Sequence, residues 1–250
     1  MTTSIIIEQL PILKKTGSPI HRSKYFNLRL FYVLILLFFP FFIQAQTTTI
    51  SVRISTGNDD VEERTNNGSM YMNSSDLELV RDGSRDQVIG MRFLNLPVPQ
   101  GAVITNAYIE FETDQTDSGT TNLEFRAQDI DDAPAFSSSN YNVSNRTLTS
   151  AVTYWNNVPP WTTVSEKHQT PDLSAIIQEV VDRPGWTPSN DMVIVVDGTG
   201  ERTAEAYEGE PDNAALLVIT FEGDFETCYT VRQNSNGRLY SWSPIGGHAF

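Results

Sequence analysis

From Thr48 to Phe221 apolar and polar residues alternate in short runs broken by turn residues. Thr49–Ile54 places apolar side chains at every second position, as a half-buried strand does. Asn66–Ser69 has turn chemistry, and extended segments follow at Ser69–Met72, Asp76–Val80 and Gln87–Phe93. Pro97 and Pro99 cannot donate to a ladder and mark a break before Ala102–Glu112, the longest strand signal. Asn122–Ala127 alternates again. Asp191–Val196 and Ala214–Phe221 are almost wholly apolar, as strands near the middle of a sheet are. One segment has a different period. Apolar residues at 173, 176, 177, 180 and 181 line one face of a helix within Thr170–Arg183, with Asp172 or Thr170 to cap it and Pro184-Gly185 to end it. About ten short strands with one short helix predict an all-β jelly-roll β-sandwich. No repeat with a period of 20 to 50 residues accompanies them.

The first 45 residues follow another logic. Lys14, Lys15, Arg22, Lys24 and Arg29 precede the apolar run Leu30–Ile43, and Ala45 stands where the chain turns polar. That run has 14 residues, short of the roughly 20 that span a bilayer, so residues 1–45 read as a secretory signal peptide. Residues 46–222 then form the sandwich. Residues 223–250 read as a linker and the start of a truncated further domain, a downstream partner in the same protein.

Charge narrows the partners. Without residues 1–45, which hold five of 17 basic and one of 31 acidic residues, the chain keeps 12 basic and 30 acidic, a formal charge of −18. Such a surface repels nucleic acid and anionic lipid, and after signal cleavage nothing here anchors a membrane. It suits an extracellular or cell-surface protein and attracts divalent cations. The single cysteine, Cys228, excludes an intrachain disulfide, so a core of about 180 residues must hold the fold.

Asn66–Ser69, Val88–Leu96 and Pro99–Phe111, with Thr170–Val181 as a late helix and Ala215–Phe221 as a last strand, resemble the DNRLRE domain. That family is also classed among carbohydrate-binding modules. The resemblance covers roughly residues 50 to 222 and implies a jelly roll attached to extracellular polysaccharide lyases, hydrolases or surface proteins. This chain departs from it in the acidic opening Asp59–Glu63 and the insertion Trp155–Trp161.

The acids fall in clusters: Asp59, Asp60 and Glu62; Asp129 and Asp131; Glu205 and Glu208. Calcium takes six to eight oxygen ligands, so these are candidate donors to a structural calcium, and the first and third clusters are expected to meet across the sandwich. The alternative is a solvated acidic face. Trp155, Trp161, Trp186 and Tyr207, with Arg202, are the candidates for stacking on and bonding to sugar rings. Against that, Trp155 and Trp161 also suit a plug for one end of the sandwich. Catalysis has little support. His168 is the only histidine in the module and no nucleophile motif accompanies it. The expectation is a non-catalytic module that binds polysaccharide. A structural or adhesion spacer, or the N-terminal part of a lyase or hydrolase, are the alternatives.

Overall fold

The computed structural model describes residues 47–223 and the strand residues Arg232–Gln233 and Leu239–Ser241. The signal-peptide segment, Cys228 and His248 lie outside the described residues, as does most of the linker-and-domain segment assigned to 223–250. In chain order the strands are β1 (Thr47–Arg53), β2 (Asp60–Arg64), β3 (Met70–Tyr71), β4 (Asp76–Glu78), β5 (Arg81–Asp82), β6 (Arg85–Leu96), β7 (Val103–Gln115), β8 (Asn122–Ala127), β9 (Thr153–Trp155) and β10 (Lys167–Gln169). The helix α1 (Ser174–Val181) follows, then β11 (Asn190–Thr199), β12 (Thr203–Glu205), β13 (Leu216–Glu222) and the small antiparallel pair β14 (Arg232–Gln233) and β15 (Leu239–Ser241). No helix among the described residues is long and apolar enough to cross a membrane.

Two antiparallel sheets pack as a sandwich. Sheet 1 runs β1-β13-β7-β12-β4, with β10 on the other edge of β7, and sheet 2 runs β3-β2-β6-β11-β8-β9. The pairings nest: β1 with β13, β6 with β11, β7 with β10, β8 with β9. A chain folded in half pairs first strand with last, second with second-last and so inward. Rolling that ribbon sends successive pairs to opposite sheets, and this is a jelly roll. The alternation seen in sequence becomes burial here: Leu123, Phe125 and Ala127 of β8 face inward while Asn122, Glu124 and Arg126 face out.

The helix closes the open edge of β7. All five residues of its predicted face, Leu173, Ile176, Ile177, Val180 and Val181, are buried in the core between the sheets. The helix itself is shorter than the apolar periodicity suggests, and Leu173 is its cap residue. Asp172 still serves the start, because its Oδ1 accepts from the Ser174 amide at 2.9 Å. Beyond β10, side chains take over the ladder. The amides of Ile109, Ala107 and Ile104 donate to Thr170 Oγ1 (3.1 Å), Asp172 Oδ1 (3.0 Å) and Gln178 Oε1 (2.7 Å). An edge that would invite another strand is thereby satisfied.

Sheet 2 carries a second apolar layer on its outer face. Val61, Val88, Val193 and Val195 point away from the main core and are covered by Ala133, Phe136 and Val143 of the loop between β8 and β9. Gly90 makes this cover possible, since a Cβ there would lie 2.6 Å from Phe136 Cζ. Glu63 pins the loop from below, its Oε2 accepting from the amides of Val143 (2.7 Å) and Ser144 (3.1 Å). Gly90→Ala is therefore expected to destabilise the module by about 1–3 kcal/mol through overpacking. Urea denaturation followed by tryptophan fluorescence checks this, and an unchanged midpoint would mean that Phe136 is not held against the sheet.

Candidate functional site

The first acidic cluster lies mostly on a strand, β2. Alternation along β2 turns Val61 and Glu63 to the outer layer and sends Asp60 and Glu62 into the sandwich. There they bridge the sheets: Asp60 Oδ2 accepts from the Tyr207 amide at 2.8 Å, and Glu62 Oε1 from the Glu78 amide at 3.0 Å. Asp60 is 4% exposed and its Oδ1 has no hydrogen-bond partner. Burial, opposed in part by the Tyr207 amide, pushes its pKa up to about 7. Glu62 is raised further by burial and by the neighbouring Glu78 carboxyl.

Of the first cluster, Asp60 lies against the segment that carries the third, through the Tyr207 amide. Glu208 adds negative charge beside Asp60, and a Cβ on Gly57 would fall on the Glu208 carboxylate. Glu205, on β12, is buried and raised to about 7 by that burial and by Asp114, Glu210 and Glu112. Other acids already have cations. Asp59 bonds Arg92 at 2.9 Å, Arg92 also pairs with Asp191, and Arg183 holds both Asp131 (2.7 Å) and Asp129. An arginine in the place of a metal makes Asp59, Asp129 and Asp131 poor donors. Among the described residues no group of three or more His, Cys, Asp or Glu is placed to hold a metal together.

The aromatic candidates divide by burial. Trp186 is 1% exposed and donates Nε1 to the Val98 carbonyl at 2.9 Å. Trp161 is fully buried, stacked on His168 with ring centroids 4.5 Å apart. Neither offers a ring face to a ligand, which corrects their assignment to sugar stacking. Trp155 pairs with Leu123, turns inward and is packed partly buried against the core, as is Tyr207. Arg202, also fully buried and so closed to a ligand, has no carboxylate bonded to it among the described residues. Its five donor contacts go to the carbonyls of Gly119, Val158, Pro159 and Glu201 and to Thr121 Oγ1. His168, with Nε2 3.0 Å from Thr113 Oγ1 and its ring stacked on Trp161, has its pKa lowered by burial.

Another surface is better shaped for a ligand. On the outer face of sheet 2, beside the covering loop, Val88, Val195 and Leu148 floor a cleft of about 130 Å³ walled by Glu124, Arg126, Ser144 and Asp197. Arg126 Nε donates to Glu124 Oε1 at 2.6 Å and its NH1 to the Thr149 carbonyl at 2.9 Å, so the guanidinium is fixed in direction. Glu124, as a hydrogen-bonded partner, raises the Arg126 pKa above its ordinary value. Directly across from Glu124 on β9 stands Tyr154, on the same outer face and 53% exposed. Sequence reasoning passed over this residue in favour of its neighbour Trp155. The strand's alternation is the signal that separates them: Trp155 pairs with inward Leu123, Tyr154 with outward Glu124.

The chain matches no model of a known protein family, and no curated protein matches it.

Proposed function

We propose that this chain is an exported, non-catalytic carbohydrate-binding module that holds a larger extracellular or cell-surface protein on polysaccharide. The observation that carries this reading is the cleft of sheet 2, where fixed polar groups surround an apolar floor and an exposed tyrosine stands beside it. Sugar sites need that combination: an aromatic face for the C–H side of a ring and oriented donors and acceptors for its hydroxyls. The resemblance to DNRLRE domains agrees with it, and so does a charge that disfavours nucleic acid and anionic lipid. A structural calcium stays within the proposal only beside Asp60, which has Glu208 next to it and no basic side chain bonded to it among the described residues; with no group of three acids there, backbone carbonyls and water would have to complete the shell.

The burial of Trp161 and Trp186 favours a second reading, a spacer or adhesion module whose aromatics serve only the core. Native gel electrophoresis of the full chain through soluble polysaccharides separates the two. Retardation by at least one polysaccharide is expected. Unchanged mobility in all of them would favour the spacer.

A further inference from the structure

The charges around the cleft are unequal. Among the described residues Arg126 is the only cation lining it, and its positive charge is already matched by Glu124 at 2.6 Å. A second carboxylate, Glu179 of α1, also acts on Arg126 while accepting from the amides of Ser150 (2.8 Å) and Ala151 (2.8 Å). A third, Asp197, lies exposed at the rim with Oδ1 taking the Gly198 amide at 2.7 Å. Carboxylates are acceptors only, so their remaining lone pairs suit O–H donors. An incoming uronate or sulfate would meet like charge and find the guanidinium engaged.

The cleft is also small. Pockets for drug-sized ligands begin near ~300 Å³, so about 130 Å³ accommodates one sugar ring with the rest of the glycan running over the surface. Tyr154 lies on the same face, level with Glu124, where a neighbouring ring would pass. We infer that this cleft selects neutral, hydroxyl-rich glycans and rejects anionic ones, with Tyr154 as the stacking platform and Glu124 and Asp197 as hydroxyl acceptors. The inference rests on the carbohydrate-binding reading above.

The test uses the full chain in affinity gels containing β-glucan, xylan or galactomannan, against alginate and polygalacturonate. Variants Tyr154→Ala, Asp197→Lys and, at a remote exposed aromatic, Tyr71→Ala are compared after their melting midpoints are checked. Retardation by a neutral polysaccharide is expected, weakened about tenfold in Tyr154→Ala and unchanged in Tyr71→Ala. Asp197→Lys should gain retardation by alginate. Retardation of the unaltered protein by anionic polysaccharides alone overturns the selectivity yet leaves the carbohydrate-binding reading standing. Neutral-glycan binding that survives Tyr154→Ala at full strength overturns the cleft as its site. Mobility unchanged in every gel overturns the inference and the reading beneath it together.

Discussion

Arg202→Met is expected to destabilise the module by about 3 kcal/mol or more, a drop of roughly 6–12 °C in melting midpoint for a domain of this size. The guanidinium has five N–H donors in a rigid fork, and here they reach Pro159 O (3.0 Å), Thr121 Oγ1 (2.7 Å), Glu201 O (2.5 Å), Gly119 O (3.0 Å) and Val158 O (2.6 Å). Those acceptors belong to three separate connections: β7 to β8, β9 to β10 and β11 to β12. Methionine fills much of the volume but leaves four carbonyls without this donor, and each buried orphan costs about 1–3 kcal/mol before relaxation. Arg202→Lys should fall between the two proteins, because an ammonium has three donors and no planar fork. Circular dichroism melts read both. A methionine variant melting within 2 °C of the parent protein, a small fraction of the drop expected, would show that the three loops hold their places without the arginine.

Raising the pH from 5 to 8 should lower the melting midpoint. In the folded protein Asp60 and Glu205 keep their protons to about pH 7, against ordinary values of 3.8 and 4.5, because burial disfavours their charged forms. The unfolded chain releases those protons near pH 4, so the folded state binds more of them between about pH 4 and 7. Stability therefore falls with rising pH across that window and levels off above it. Glu62, raised further by burial and by Glu78, extends the decline to more alkaline pH. For Asp60 alone the loss has a ceiling of about 4 kcal/mol. Glu62→Gln should flatten the alkaline part of the curve and raise the midpoint at pH 8, since a neutral amide still accepts from the Glu78 amide. Differential scanning calorimetry between pH 5 and 9 measures this, and a midpoint that rises with pH would refute the burial account. Calcium that restores the midpoint at pH 8, with reversal by EDTA, supports a cation among these acids. No response would leave protonation as their means of neutralisation.

How far the fold was legible depended on period. The positions 173, 176, 177, 180 and 181 all reach the core because a helix face has one geometric solution once the sheets exist. The long alternating runs became β6, β7 and β8 for the same reason. Parity was harder. Tyr154 and Trp155 are adjacent, and only the register against β8 decides which one meets solvent. Composition pulled the reading toward tryptophan and therefore inward. The strand Asp60–Arg64 was not legible, because the amides of Tyr207 and Glu78 that satisfy Asp60 and Glu62 come from elsewhere in the chain. Arg202 was illegible for a related reason: four of its five partners are backbone carbonyls, which any residue supplies.

The nested pairing has a mechanical consequence. β1 and β13 are antiparallel neighbours with Thr47 opposite Glu222, so the polypeptide enters and leaves the sandwich side by side. Tension applied through these two ends does not shear the whole ladder at once. It peels the rungs singly, beginning at Thr47 and Glu222 and moving toward Arg53 and Leu216. A module tethering a load to a surface through both of these strands would open like a zipper at low force, whereas a load hung from one strand alone would leave the sandwich unstrained.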